Sequence, residues 1–133
     1  MQTVRNNPFL WVATDNTRAE DGSPRKPIRL FSFFTDGRNG YLYVPFKDIE
    51  DMGLSPYSFT VMSRIDARGM YLEEEMDAQI FTEIYEQKGG FRVVLNEIHE
   101  EPSALRQKQN NKISVAQKFW EERQTHHRLR TVR

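Results

Sequence analysis

A chain of 133 residues has room for one core, and its nine Phe, five Tyr and two Trp are more aromatic material than a disordered chain carries. Apolar residues make up 38% and charged ones 29%, with 19 bases against 19 acids; no run nears the roughly 20 apolar residues of a bilayer span, which excludes a transmembrane helix. The lack of cysteine excludes a disulfide scaffold, a thiolate metal site and a cysteine nucleophile, and together with an N-terminus that has no apolar signal stretch it predicts a cytoplasmic protein.

Phe9-Leu10-Trp11-Val12-Ala13 reads as a short strand, and the polar stretch 15–26 with Asp21-Gly22-Ser23-Pro24 as a loop. Residues 28–34 are rich in aromatics and bounded by turn formers, hence a strand. Thr35-Asp36-Gly37-Arg38-Asn39-Gly40 offers two glycines for positive φ, and Tyr41 to Phe46 returns, which predicts a β-hairpin over 28–46. Pro45 marks a strand end or an edge. Lys47 to Gly53 suits two helical turns stopped by the glycine. Alternation of Tyr57, Phe59, Val61 and Ile65 predicts a half-buried strand over 57–65, followed by a turn at Ala67-Arg68-Gly69.

A helix is predicted over 73–88, with Met76, Ile80 and Ile84 on one stripe and Phe81 and Tyr85 widening it. Its three leading glutamates suit the positive end of the helix dipole, and Gly89-Gly90 ends it. Phe91 to Ile98 is a further strand, and Pro102 fits the first turn of the helical C-terminal stretch. Asn110-Asn111 interrupts that stretch or caps a second helix beginning near Ile113. The order predicts an α+β domain: a mostly antiparallel sheet of about five strands, a central helix and a long C-terminal helix. Residues 1–101 form the core domain, and 102–133 a basic helical extension of the same folding unit.

At about 100° per residue, Ile113, Ala116 and Trp120 cluster on one side of the terminal helix. Val115, Phe119 and Leu129 cluster on nearly the opposite side. A helix resting on its own sheet needs one apolar face; two faces predict a second surface to bury, unless the helix is short and one aromatic lies exposed, or the domain wraps the helix. Phe119, Trp120, Arg123, Arg128 and Leu129 are therefore the candidate partner-binding residues, Trp and Arg being enriched at interface hot spots.

Charge is polarised along the chain. Residues 1–44 hold six bases and four acids, 45–101 five bases and thirteen acids, and 102–133 eight bases and two acids. The basic end has two outlets: an external polyanion, or the acidic middle of its own or a neighbouring copy. In the first case Arg106, Lys108, Lys112, Lys118, Arg123, Arg128 and Arg130 would neutralise phosphates. Against it stand the near-neutral pI of about 6.8 and the absence of a helix-turn-helix, RRM or KH signature.

Other chemistry is thinly represented. Asp77 lies in the apolar arc of the predicted helix with Glu73 one turn earlier, a pair able to hold a hard cation or move a proton. The structural alternative pairs Asp77 with Arg64, Arg68 or Arg92, since buried charges are usually paired, or places it at the sheet rim. His99-Glu100-Glu101 and His126-His127 lack metal-ligand spacing, no Gly-x-Ser-x-Gly is present, and the glycines match no nucleotide fingerprint. No metal and no cofactor is predicted.

Residues 37–85 resemble small uncharacterised proteins and domains encoded by bacterial phages and plasmids. The matching features are the Gly40 strand, Ser58 in a strand, and Gly69-Met70-Tyr71-Leu72-Glu73-Glu74-Glu75-Met76-Asp77-Ala78, an aromatic followed by acids and Asp-Ala at a helix start. Leu72 and Glu75 depart from that pattern. The resemblance implies a bacterial cytoplasmic setting, no known activity and no functional residues.

Three readings follow. First comes a small non-enzymatic protein that binds a protein partner, self-associates, or both, through its C-terminal helix, with a mobile-element accessory or inhibitor of a host system as the implied setting. Second is a nucleic-acid binder using the basic C-terminal segment. Third is a small enzyme or nucleotide-binding protein with a pocket near Asp77.

Overall fold

The computed structural model describes residues 2–5, 12–13, 27–99 and 102–125. Strands form at β1 (Gln2–Arg5), β2 (Val12–Ala13), β3 (Ile28–Thr35), β4 (Gly40–Pro45), β5 (Arg64–Ile65), β6 (Gly69–Glu73), β7 (Arg92–His99) and β8 (Gln109–Asn110). Helices are α1 (Phe46–Asp51), α2 (Asp77–Gly89), α3 (Pro102–Arg106) and α4 (Ile113–Ala116). The last runs on through a π-helical stretch, Gln117–Glu121, and a further helical turn over 122–125.

The class is α+β, as the sequence predicts. One sheet has the order β1-β7-β3-β4-β6-β5-β8, with β2 pairing to β3 off that path. Five of the seven pairings among the described residues are antiparallel. The other two belong to β7, which runs parallel to both β1 and β3. A parallel neighbour needs a long crossover, and α2 supplies it between β6 and β7. Residues 93–96 of β7 are buried without alternation, as befits a strand inside a parallel group.

The predicted hairpin is present as β3 and β4. Asp36 closes its turn by accepting the N–H groups of Arg38 and Asn39, and Gly37 takes φ +91°. Gly40 has no positive φ; it is small because the Phe33 ring lies over it. Alternation along the strands separates two faces. Phe31, Leu42, Val44, Met70, Leu72, Val93 and Leu95 form one wall of the core; Phe46 and Ile49 of α1, Ala78, Phe81 and Tyr85 of α2, and Ala116 of α4 form the other. The opposite face carries Phe34, Tyr43 and Tyr71, with ring centroids 5.0 and 5.9 Å apart around Tyr71.

Three expectations are corrected here. The predicted strand over 57–65 survives only as Arg64–Ile65. Pro56 opens a 3-10 turn capped by Ser55, whose hydroxyl accepts the Tyr57 N–H while Ser58 accepts the Ser55 N–H. That turn chemistry overrides the apolar alternation, and Tyr57 and Val61 are left exposed. Residues 69–73, read as a turn and a helix start, are instead β6 beside β4. Helix α2 begins four residues later than Glu73 because the Glu73 carboxylate accepts the N–H groups of Glu75, Met76 and Asp77, capping the helix from the strand end. Finally, the buried stripe of α2 is Ala78, Phe81, Thr82 and Tyr85, with Met76 and Ile80 outside. The cause is Phe31, whose ring meets those of Phe81 and Tyr85 edge-on at 5.6 and 5.2 Å.

Gly69 is where β6 passes closest to β4. A Cβ there would run into the Val44 carbonyl oxygen and come within 2.9 Å of Pro45 Cα. Backbone atoms in a central strand cannot step aside, so Gly69→Ala should cost about 1–3 kcal/mol in a urea titration. A midpoint equal to that of the parent protein would mean that the β4–β6 spacing is soft.

Candidate functional site

The apolar pattern points to the C-terminal helical segment. Its geometry differs from the prediction in one decisive respect. Phe119 and Trp120 both pack against the single core, as does Val115. Trp120 meets Phe46 edge-on with centroids 5.5 Å apart, while Phe119 lines a cavity with Ile65 and Leu105. Phe119 and Trp120 are consecutive, so even an α-helix sets them only about 100° apart, within one broad apolar arc, and the π-helical stretch over 117–121 narrows that angle further. A π turn holds an extra residue, so successive side chains rotate by less than the ~100° of an α-helix. Two neighbours then reach the core from either flank. The opposite-face expectation is thus corrected: the domain wraps the helix, and both rings remain only half-buried. The segment is also not one long helix, since β8 and Asn111 separate α3 from α4.

The basic residues divide. Lys108 donates to Asp66 Oδ2 at 3.1 Å and lies 5.3 Å from the Tyr71 ring centroid. Arg123 pairs with Glu50 on α1 and lies 5.9 Å from the Trp120 ring. Both acids belong to the acidic middle of the same chain, so two of the five bases described in this segment are engaged internally. Arg106, Lys112 and Lys118 are exposed. Arg128, Leu129 and Arg130 lie outside the described residues, as do His126 and His127. Among the described residues no group of three His, Asp or Glu side chains is placed to hold a metal ion.

Asp77 is fully buried, and among the described residues no arginine pairs with it. Its Oδ2 accepts the Thr60 N–H at 2.9 Å, the Thr60 hydroxyl at 2.8 Å and the Ser63 hydroxyl at 2.5 Å. Ser63 in turn accepts the Glu73 N–H. Neutral donors replace the predicted cation because residues 59–63 loop back over the start of α2 and bring their N–H and O–H groups there. Arg64, one of the predicted partners, donates instead to the carbonyls of Arg106 and Lys108. The carboxylate is a clamp on that loop, and it lines none of the three cavities described for this fold.

Asn111 clamps the same loop from the other side. Its Nδ2 donates to the carbonyls of Pro56, Phe59 and Thr60, and its N–H to that of Ser63. Between the clamped loop and the start of α4 runs a groove of about 640 Å³, lined by Pro56, Tyr57, Phe59, Val61, Ile113 and Ala116 among others. Tyr57 is 49% exposed, Val61 50%, the adjoining Met62 64% and Ile113 70%. Sequence reading missed this groove because it placed Tyr57 and Val61 on a buried strand face. The Ser55-Pro56 pair was the signal for a turn there.

The Asp66 carboxyl shows a pH effect with a known sign. Burial pushes it up, but the Arg68 N–H, the Lys108 ammonium and the Gly69 N–H outweigh that and hold it below its ordinary 3.8. A carboxyl lowered in the folded state stabilises the fold above its unfolded value and loses that contribution as pH falls through the folded one. The thermal midpoint should therefore fall less between pH 5 and pH 2.5 (~, spanning the range below the ordinary aspartate value) in Asp66→Asn than in the parent protein. Parallel acid limbs would show that the lowered Asp66 carboxyl adds nothing to stability. No protein-family model, curated protein or solved structure matches this chain, which leaves the geometry above as the ground for its function.

Proposed function

We propose that this protein is a small non-enzymatic interaction module that docks a protein partner in the apolar groove between residues 56–62 and the start of the C-terminal helical segment. The observation that carries the reading is the gathering of exposed Tyr57, Val61 and Ile113 on one groove, with Met62 next to it and Pro56, Phe59 and Ala116 as its buried floor. Single exposed apolar residues are ordinary on a monomer; several around one concave, apolar floor are the mark of a contact surface. Phe119 and Trp120 serve by anchoring the helix whose first turn presents Ile113. Such a module acts by covering a surface of its partner and needs no catalytic group. An accessory that masks a host protein, in the bacterial mobile-element setting implied by the resemblance of residues 37–85, is the role this surface suits.

Ile113→Asp and Val61→Asp place a charge in the groove without touching the core. Each should weaken partner or self-association by about 2 kcal/mol, roughly thirtyfold in Kd, with the circular dichroism spectrum and urea midpoint unchanged. Native mass spectrometry of protein purified from its own host, parent against variants, reads the effect. A parent protein that is monomeric at high concentration and shares every co-purifying species with both variants would remove this reading.

A further inference from the structure

The large apolar side chains left exposed among the described residues are Tyr57, Val61, Met62, Met76, Ile80 and Ile113. All six sit on three segments that are bolted together: residues 57–62, the head of α2 and the first turn of α4. Asp77 at the head of α2 holds Thr60 and Ser63. Asn110 and Asn111, which lead into α4, donate to carbonyls of the same loop, that of Val61 included. The groove is thus one part of a longer apolar strip, which Met76 and Ile80, one turn apart, extend along α2.

The two ends of this strip carry opposite charge. Met62 shares a shallow cavity with Glu73, Glu74 and Glu75, against a single base, Arg38. The Glu73 carboxylate is spent on capping α2, but Glu74 and Glu75 are exposed and form no ion pair among the described residues. At the other end Val61 shares the groove with Lys112 and Ile113. Lys112 is exposed and likewise pairs with no carboxylate among the described residues. Residues 102–120 around it hold four bases and no acid. Glu121 comes near the Tyr57 phenol, which burial and that carboxylate both push up; the charge next to Ile113 is Lys112. A strip that is acidic at one end, apolar in the middle and basic at the other is complementary to itself turned end for end. A two-fold axis at Val61 and Met62 sets the acidic end of one copy on the basic end of the next, makes that contact twice, and covers the apolar side chains between.

We propose that the occupant of the groove is a second copy of this chain, held as a two-fold dimer in which Glu74 and Glu75 of each copy face Lys112 of the other across Val61, Met62, Met76 and Ile113. The proposal rests on the groove reading above and names the partner that the charges select.

Sedimentation equilibrium of the purified protein over a range of concentration and salt tests it. The expected result is a monomer–dimer equilibrium that weakens with added salt. Glu75→Lys and Lys112→Glu, both at exposed positions, should each weaken the dimer about tenfold, because each sets like charges together at both ends. The double variant Glu75→Lys with Lys112→Glu should restore it. So should an equimolar mixture of the two single variants, since both contacts of the mixed dimer then join opposite charges. A protein that sediments as a monomer at every concentration overturns the proposal, as does an open series of larger species in place of a dimer. Single variants that associate like the parent protein, or a double variant and a mixture that both stay dissociated, overturn it too. A monomeric protein that still carries a host partner, lost in Ile113→Asp, would sink the dimer and leave the groove reading standing.

Discussion

One buried carboxylate organises the half of this molecule that carries the groove. Asp77, at the first residue of α2, collects three donors from Thr60 and Ser63 and so fixes a loop that its apolar alternation would otherwise have drawn into the sheet. An unpaired buried carboxylate would be very costly; hydroxyl and amide donors meet that demand at Oδ2 without a counter-charge, while Oδ1 has no hydrogen-bond partner among the described residues. Once the loop is pinned, Asn111 can cross to its carbonyls, and the chain leaves Asn111 directly into α4. The groove, the angle of the terminal helix and the exposure of Ile113 all descend from that arrangement.

The hairpin, α1 with its stop at Gly53 and the start of α4 were legible in the residues because each is decided locally, by turn formers and caps next to the element. β6 was not legible. Gly69-Met70-Tyr71-Leu72-Glu73 is short, and the glutamates that follow it look like a helix's first turn; only the neighbouring strand β4 makes it a strand. The stripe of α2 was displaced for a similar reason. Its periodicity allowed Met76, Ile80 and Ile84, but the partner ring of Phe31 selects Phe81 and Tyr85. The site suffered most. Grouping Phe119 with Val115 and Trp120 with Ile113 and Ala116 suggested opposite faces, although the two rings are only about 100° apart on an ideal helix, and the π turn that brings them closer is invisible to a fixed 100° step.

The charge polarity of the sequence has an internal use. Lys108 and Arg123 bring the basic end of the chain onto Asp66 and Glu50, one on the β5–β6 side and one on α1. Partly exposed pairs of this kind each stabilise little. Their value lies in where they sit, at both margins of a segment whose apolar anchors are only half-buried. Attraction between oppositely charged stretches of one chain sets the seating of the C-terminal segment, and packing of Trp120 on Phe46 completes it.

The parallel placement of β7 between β1 and β3 bears on how the chain matures during synthesis. Gln2 pairs with Val94, and Ile28 with Arg92, so β1 and β3 wait for residues made some sixty to ninety positions later. Until then a nascent chain can close its local hairpin but leaves one long edge of β3 without a hydrogen-bonding neighbour. Distant closure of this sort is slow and leaves strand edges open to wrong partners. The ribosome-bound intermediate is thus the state of this protein most in need of protection from aggregation.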